Sequence, residues 1–311
     1  MNNNSNSKSD FVSNFFATST DAKIAYFTNF NPENKSEAFA GMPLLVFNYG
    51  LVCSNQHWSK QIPFFSSKSY PILLHDYRGH YASSLPPEGY GSLTFKNFAY
   101  DIMELVHHLG FSQTIMFGHS MGVNVTLEFA KLFPELVLGM VLISGSVLSP
   151  ESVMFDSNIM EVAYPFVEKL SQKYPELFRT VWKTNPKLTL TQKIIRFGGF
   201  NIGRVPLSFI KIYLEKISEL GPDLFFHLFN RMREHDILAY LDQIAPPALI
   251  ISGEKDKVIP NHFQNIMKRE LPRSEFYLVK EGSHVPQVDF PQKVNERINL
   301  FITPLLYQKQ Q

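Results

Sequence analysis

Thr114-Ile115-Met116-Phe117-Gly118-His119-Ser120-Met121-Gly122-Val123-Asn124-Val125-Thr126-Leu127 is the stretch from which the fold can be read. Its first four residues form an apolar run that reads as a strand. The residues from Ser120 to about Phe133 read as a helix, which Pro134 stops. Between them lies G-x-S-x-G. A serine on so sharp a strand-to-helix turn has a strained backbone, and side chains two residues away on either side would collide. Gly118 and Gly122 meet that need, so Ser120 is a candidate nucleophile on an elbow. The bare pattern is only moderately specific; the strand before it and the helix after it give it mechanical meaning.

Outward from this elbow, Leu44–Phe47, Ile72–Leu74, Val141–Ile143, Ala248–Ile251 and Phe276–Val279 are further strand candidates. They alternate with longer helical patterns, the order expected of a mostly parallel sheet flanked by crossover helices. Phe11–Ala17 and Ala22–Phe30, split by the Thr20-Asp21 turn, predict an antiparallel hairpin at one edge, for eight strands in all. Phe95, Phe98, Ala99, Ile102, Leu105, Val106 and Leu109 recur at spacings of three and four, a helix opened after Thr94 and ended by Gly110. Lys96, Asp101 and Glu104 fall opposite and are expected to be wet. Gln292–Ile302 reads as a closing helix.

Residues 147–243 break the alternation. Phe155, Phe166, Leu170, Leu177, Phe197, Phe209, Phe225 and Phe229 stand there at mostly helical spacings, with no good strand run. The expected organisation is an α/β core from residues 1–146 and 244–311 with a helical cap inserted at 147–243. Most of the cap's apolar side chains are expected to form its own small core, and fewer to touch a substrate.

A serine hydroxyl needs a base, and the base needs an orienting carboxylate. Asp256, in Gly253-Glu254-Lys255-Asp256, directly follows one strand, and His284, in Gly282-Ser283-His284, directly follows another. Glu254 competes for the acid role, and Asp156 is a weaker alternative. Donors for a developing oxyanion are expected from the N–H of Met121 and of Leu51, where Gly50 leaves room for substrate. Tyr49, Gly50 and His119 are the candidate pocket residues beside them.

Composition narrows the field. Lys plus Arg number 29 against 28 Asp plus Glu, so no global field exists to hold a polyanion, and nucleic acid is not an expected partner. Cys53 is the only cysteine, which excludes an intramolecular disulfide and a four-thiolate zinc site; no metal is expected. Beside the oxyanion loop, Cys53 reads as a small buried hydrophobe. Residues 1–10, MNNNSNSKSD, match neither a secretory signal nor a membrane anchor, and the expectation is a cytoplasmic chain with a disordered start and no stable membrane insertion. Between Lys173 and Lys211, eight cations (Lys173, Arg179, Lys183, Lys187, Lys193, Arg196, Arg204 and Lys211) face only Glu176. Such a surface could meet anionic lipid or an acidic substrate tail, although a solvated helical face is the more ordinary reading.

With these residues in place, the chain resembles the α/β-hydrolase superfamily, in particular its capped esterase-like branch. The resemblance is carried by Pro43–Trp58, by Asp76-Tyr77-Arg78-Gly79-His80 followed by Ser83, by Gly118–Gly122, by Pro247–Pro260 and by Gly282–Pro291. It implies a Ser120, Asp256, His284 triad and no cofactor. The implied reaction is hydrolysis of a small or medium, apolar carboxylic ester through an acyl-serine. Two positions depart from the pattern: Tyr81 stands where glycine is typical, and Tyr49-Gly50 replaces the usual His-Gly. A serine nucleophile argues against the dehalogenase and epoxide-hydrolase branches, which attack through aspartate. Thioesterases, lactonases, amidases, carbon-carbon hydrolases, acyltransferases, perhydrolases and a non-catalytic ligand receptor share the same framework, and fold alone does not choose. Oligomeric state is not legible.

Overall fold

The β-branched and aliphatic runs pair as one eight-stranded sheet in a computed structural model that describes residues 11–34, 39, 41–154, 159–184, 199–201 and 203–307. The strands are β1 (Val12–Ala17), β2 (Lys23–Thr28), β3 (Leu44–Asn48), β4 (Ile72–His75), β5 (Thr114–His119), β6 (Val137–Ile143), β7 (Ala248–Gly253) and β8 (Ser274–Val279). Their spatial order is β1-β2-β4-β3-β5-β6-β7-β8. β1 and β2 form the expected antiparallel hairpin, β2 runs antiparallel to β4, and every other pairing is parallel. The chain leaves β3 toward β4 and returns to β5 on the other side, so the direction of winding reverses between β3 and β5. A crevice forms at the carboxyl ends of the two strands on either side of such a reversal. Register fixes what borders it: Asn48 lies beside Gly118 and His119 beside Ile143.

Helices cover both faces. They are α1 (Gln61–Ser66), α2 (Phe95–His108), α3 (Met121–Leu132), α4 (Pro150–Val153), α5 (Ile159–Lys173), α6 (Pro175–Thr184), α7 (Leu207–Leu220), α8 (Pro222–Glu234), α9 (Asn261–Glu270), α10 (Pro286–Asp289) and α11 (Pro291–Tyr307). The two-residue period of each strand splits the core. Leu44, Val46, Met116, Leu142 and Ile250 pack with α2 and α3, whereas Leu45, Phe47, Ile115, Phe117 and Ile251 pack against Val294, Ile298 and Ile302 of α11. The closing helix runs five residues beyond the expected Ile302, to Tyr307.

The helix after Thr94 forms as expected, and Thr94 caps it by accepting the Asn97 N–H. Its polar face is not uniformly wet. Lys96 is exposed, but Asp101 is 4% exposed and paired with Arg78, whose guanidinium also donates to Thr20. Glu104 is half-buried and accepts from Ser19. The segment after β4 folds over this flank and brings Arg78 with it, so helical periodicity alone misplaces Asp101.

Between β6 and β7 every described element is helical, and β7 resumes pairing beside β6 with Met140 opposite Ala248. The insertion therefore breaks no ladder. Tyr164 of α5 stacks on Phe229 of α8 at 4.3 Å, and Trp182 of α6 donates to the Ile217 carbonyl of α7. Phe166, Leu170 and Leu177 do not join this packing and are exposed, against the expectation of an inward-facing core. Residues 1–10 and Phe155, Asp156, Lys187, Lys193, Arg196 and Phe197 lie outside the described residues.

Candidate active site

Ser120 occupies the turn between β5 and α3 with φ 55° and ψ −121°, a conformation that side chains other than glycine's rarely adopt. Its N–H donates to the Ile143 carbonyl of β6, and its own carbonyl accepts from Val123, so the surrounding backbone holds the strain in place. A Cβ at Gly118 would sit 2.6 Å from the Gly122 carbonyl oxygen, and one at Gly122 would overlap the Asn48 carbonyl of β3. Both glycines are thus required by close approach of backbone.

Asp256 and His284 come from the loops after β7 and β8. The His284 Nδ1 lies 3.1 and 3.0 Å from the two carboxylate oxygens of Asp256. A carboxylate accepts, so Nδ1 carries the proton and Nε2 is left as the basic nitrogen. Asp256 Oδ1 also accepts the Val258 and Ile259 N–H groups at 2.9 Å, so the residue caps its own loop as well as orienting the imidazole. Glu254 is exposed and accepts from the Glu281 N–H, which removes it as competitor. Ser120 and His284 line one cavity. Among the described residues, no hydrogen bond joins the Ser120 hydroxyl to the imidazole.

His119 lies buried in the wall of that cavity, and its Nε2 donates to the His284 carbonyl at 3.0 Å. The residue before the serine therefore braces the backbone of the proposed base. Burial pushes His119 well below the usual histidine range and His57 down to about 3, so both remain neutral in the wall. Leu51 borders the cavity, and Met121, at the first position of α3, has an N–H with no acceptor inside its helix. Tyr49, expected at the pocket, does not border the cavity. Gly50 lies directly against the serine, where a Cβ would be 2.8 Å from the Ser120 Cβ and 3.3 Å from its hydroxyl oxygen. Tyr49 turns into the core, and its ring packs 4.6 Å from that of Tyr77.

Three features escaped the sequence. First, two tyrosines hold the loop after β3: the Tyr77 hydroxyl donates to the Tyr49 carbonyl at 2.9 Å, and the Tyr81 hydroxyl donates to the Cys53 carbonyl. Tyr49 in turn reaches Asp76, whose carboxyl burial raises to about 6. The signal was present, since Tyr49 and Tyr81 are the two departures noted above and their rings lie 6.0 Å apart. Second, the buried Asp289 accepts the Ser283 N–H and steadies the histidine loop; burial raises it to about 6 as well. Third, His57 lies against His119 and Phe209 in the cavity wall.

The cavity encloses about 260 Å³. Leu148, Val153, Phe225, Phe229 and Met232 of the insertion form its roof, Val258, Ile259 and Val285 contribute from the core, and among the described residues no Asp, Glu, Lys or Arg borders it. Cys53 is buried in the same wall, and burial pushes its thiol up, out of reach of a thiolate nucleophile.

Residues 43–291 match the family model described as alpha/beta hydrolase fold. The chain is 23% identical over 279 residues to a bifunctional esterase/perhydrolase of Acinetobacter calcoaceticus, covering 89% of this chain and 92% of the relative. It is 22% identical over 278 residues to bifunctional epoxide hydrolase 2 of Sus scrofa, covering 81% of this chain but only 50% of that longer protein. Among solved structures, an esterase from Exiguobacterium antarcticum superposes with a TM-score of 0.74 at 18% identity, covering 94% of this chain and 99% of the other.

Proposed function

The chain belongs to the α/β-hydrolase family, and on that premise we propose that it is a serine hydrolase acting on a small or medium apolar carboxylic ester. The observation that carries the proposal is the hydrogen-bonded Asp256–His284 pair, whose imidazole borders the same apolar cavity as Ser120. His284 Nε2 takes the proton as the Ser120 hydroxyl attacks the ester carbonyl, and Asp256 stabilises the imidazolium. The Met121 and Leu51 N–H groups receive the oxyanion. The leaving alcohol takes the proton back from His284, and water then releases the acid from the acyl-serine by the same steps.

Substrate class follows from the lining. Against the described lining a free carboxylate or ammonium would be desolvated without a counter-charge, which costs several kcal/mol in real proteins, so the acyl group should be uncharged. The volume lies below the roughly 300–1,000 Å³ of pockets for drug-sized ligands, in keeping with an acyl group of small or medium length. Among the described residues no helix is long and apolar enough to cross a membrane.

A fluorophosphonate should label wild-type protein at Ser120 and leave Ser120→Ala unlabelled. Short p-nitrophenyl esters should be hydrolysed by the first and not by the second. A panel of esters, thioesters, amides and lactones, with Ser120→Ala as blank, then fixes the bond type. Undiminished turnover in the alanine variant would remove the nucleophile, and with it the proposal.

A further inference from the structure

The outer surface of α5 and α6 has no role in the chemistry above, and its composition is unusual. Their inner sides are satisfied: Tyr164 stacks on Phe229, Phe178 packs near Phe226, and Trp182 packs against Phe225, all on α8. Their outer sides present Val162, Phe166, Leu170, Tyr174, Leu177 and Val181 to solvent, with Val162 73%, Phe166 70% and Leu177 64% exposed. On α5 the spacing places Val162, Phe166 and Leu170 along one stripe. Lys169 and Lys173, three and seven residues after Phe166, fall within the same stripe, and both are exposed. Single exposed apolar side chains are ordinary, but a contiguous series on consecutive helices marks an interaction surface.

Charge selects the occupant. Among the described residues, Lys169, Lys173 and Lys183 have no acidic partner, whereas Glu168 is turned inward to Asn230 and Glu176 is paired with Arg179; the exposed Glu161 stands in the first turn of α5, eight residues before Lys169. A second copy of this chain docking by the same patch about a two-fold axis would bring these cations face to face, which disfavours self-association. An anionic bilayer is complementary to both properties at once. Large apolar side chains enter the boundary between headgroups and acyl chains, and lysines within the stripe meet lipid phosphates. We propose that α5 and α6 form a peripheral docking face for anionic membrane surfaces. The same helices pack on Phe225 and Phe229 of α8, which also border the apolar cavity, so docking would set the cavity close to a store of apolar esters.

The inference does not depend on the acyl-transfer proposal, because binding is read without turnover. Full-length protein carrying Ser120→Ala is sedimented with sucrose-loaded vesicles of phosphatidylcholine alone, or of phosphatidylcholine with 30 mol% phosphatidylglycerol, at low and high salt. Binding should favour the anionic vesicles and weaken with salt. Lys169→Gln with Lys173→Gln should reduce it by roughly fivefold per lysine. Phe166→Ser with Leu177→Ser should reduce it to the level seen with neutral vesicles. In the Ser120 background both pairs should hydrolyse a soluble short ester at the unaltered rate, which shows that they are folded. Absence of sedimentation, equal and salt-insensitive binding to both vesicles, or a dimer in solution that the Phe166→Ser, Leu177→Ser pair dissolves would each overturn the proposal.

Discussion

The strand-end loops and the inserted helices build the same cavity by different means. Ser120, Asp256 and His284 each stand a few residues beyond a strand whose neighbours are fixed by a backbone ladder, so their positions follow from register. Phe225, Phe229 and Met232 reach the cavity from α8, which pairs with nothing in the sheet and is held to its neighbours by ring contacts and a few side-chain hydrogen bonds. A ladder places a residue to within one register step, and a slip of one would turn every side chain to the other face. Side-chain packing tolerates repacking at small cost. The floor of the cavity should therefore determine whether chemistry occurs, and the roof which substrate undergoes it.

The sharpest way to break this division is Asp256→Asn. The amide oxygen can still accept from Val258 and Ile259, so the loop should keep its shape and Tm should change little. Only the charge facing His284 Nδ1 is lost, along with the preference for the tautomer that leaves Nε2 basic. The expected fall in kcat is about 10⁴, the size seen when a triad aspartate is neutralised elsewhere. A fall of less than tenfold, with Tm unchanged, would mean that the floor does not set the chemistry as described.

Legibility divides along the same line. The elbow, both partner loops and all eight strands could be read because each is written in a short contiguous stretch: G-x-S-x-G after an apolar run, or an acid or histidine directly after a strand. Asp101 was misread because its burial depends on Arg78, which arrives from another segment. Tyr49 was misplaced because a residue beside the candidate oxyanion donor can point to either side of the loop, and Tyr77, distant in sequence, holds both its hydroxyl and its carbonyl. In the insertion, amphipathic spacing revealed helices but not which stripe faced inward. Phe166 and Phe229 look alike in the sequence; one is exposed and the other fully buried.

Phe229→Ala tests the roof. The side chain is fully buried, stacks on Tyr164 and borders the cavity, so its removal should cost about 3–5 kcal/mol of stability. Thermal unfolding should shift down accordingly. Per folded molecule, hydrolysis of a short ester should persist, while the preferred acyl length should move upward as the roof recedes. If kcat on the short ester collapses in protein shown to be folded, the roof takes part in the chemistry and the division fails.

The smallest effect expected separates positioning from packing within the floor itself. Tyr81→Phe keeps the ring, and with it the contact with Lys216 whose ammonium lies 4.4 Å from the ring centroid, but removes the hydroxyl that donates to the Cys53 carbonyl. Tyr81 holds φ at +44°, so the loop adopts a strained backbone at the position where a glycine would be free of strain. That hydrogen bond ties the strained loop to the segment carrying Leu51. A lost bond of this kind, which leaves a carbonyl without its donor, is worth about 1–3 kcal/mol. If the loop positions the Leu51 N–H for the oxyanion, most of that loss should fall on the transition state, as a drop in kcat of roughly five- to a hundredfold with KM nearly unchanged. If the hydroxyl serves stability alone, Tm should fall and kcat of the folded protein should not. Measuring both for Tyr81→Phe, with Tyr77→Phe as its companion on the Tyr49 carbonyl, decides between a loop that is merely held and one that is aimed.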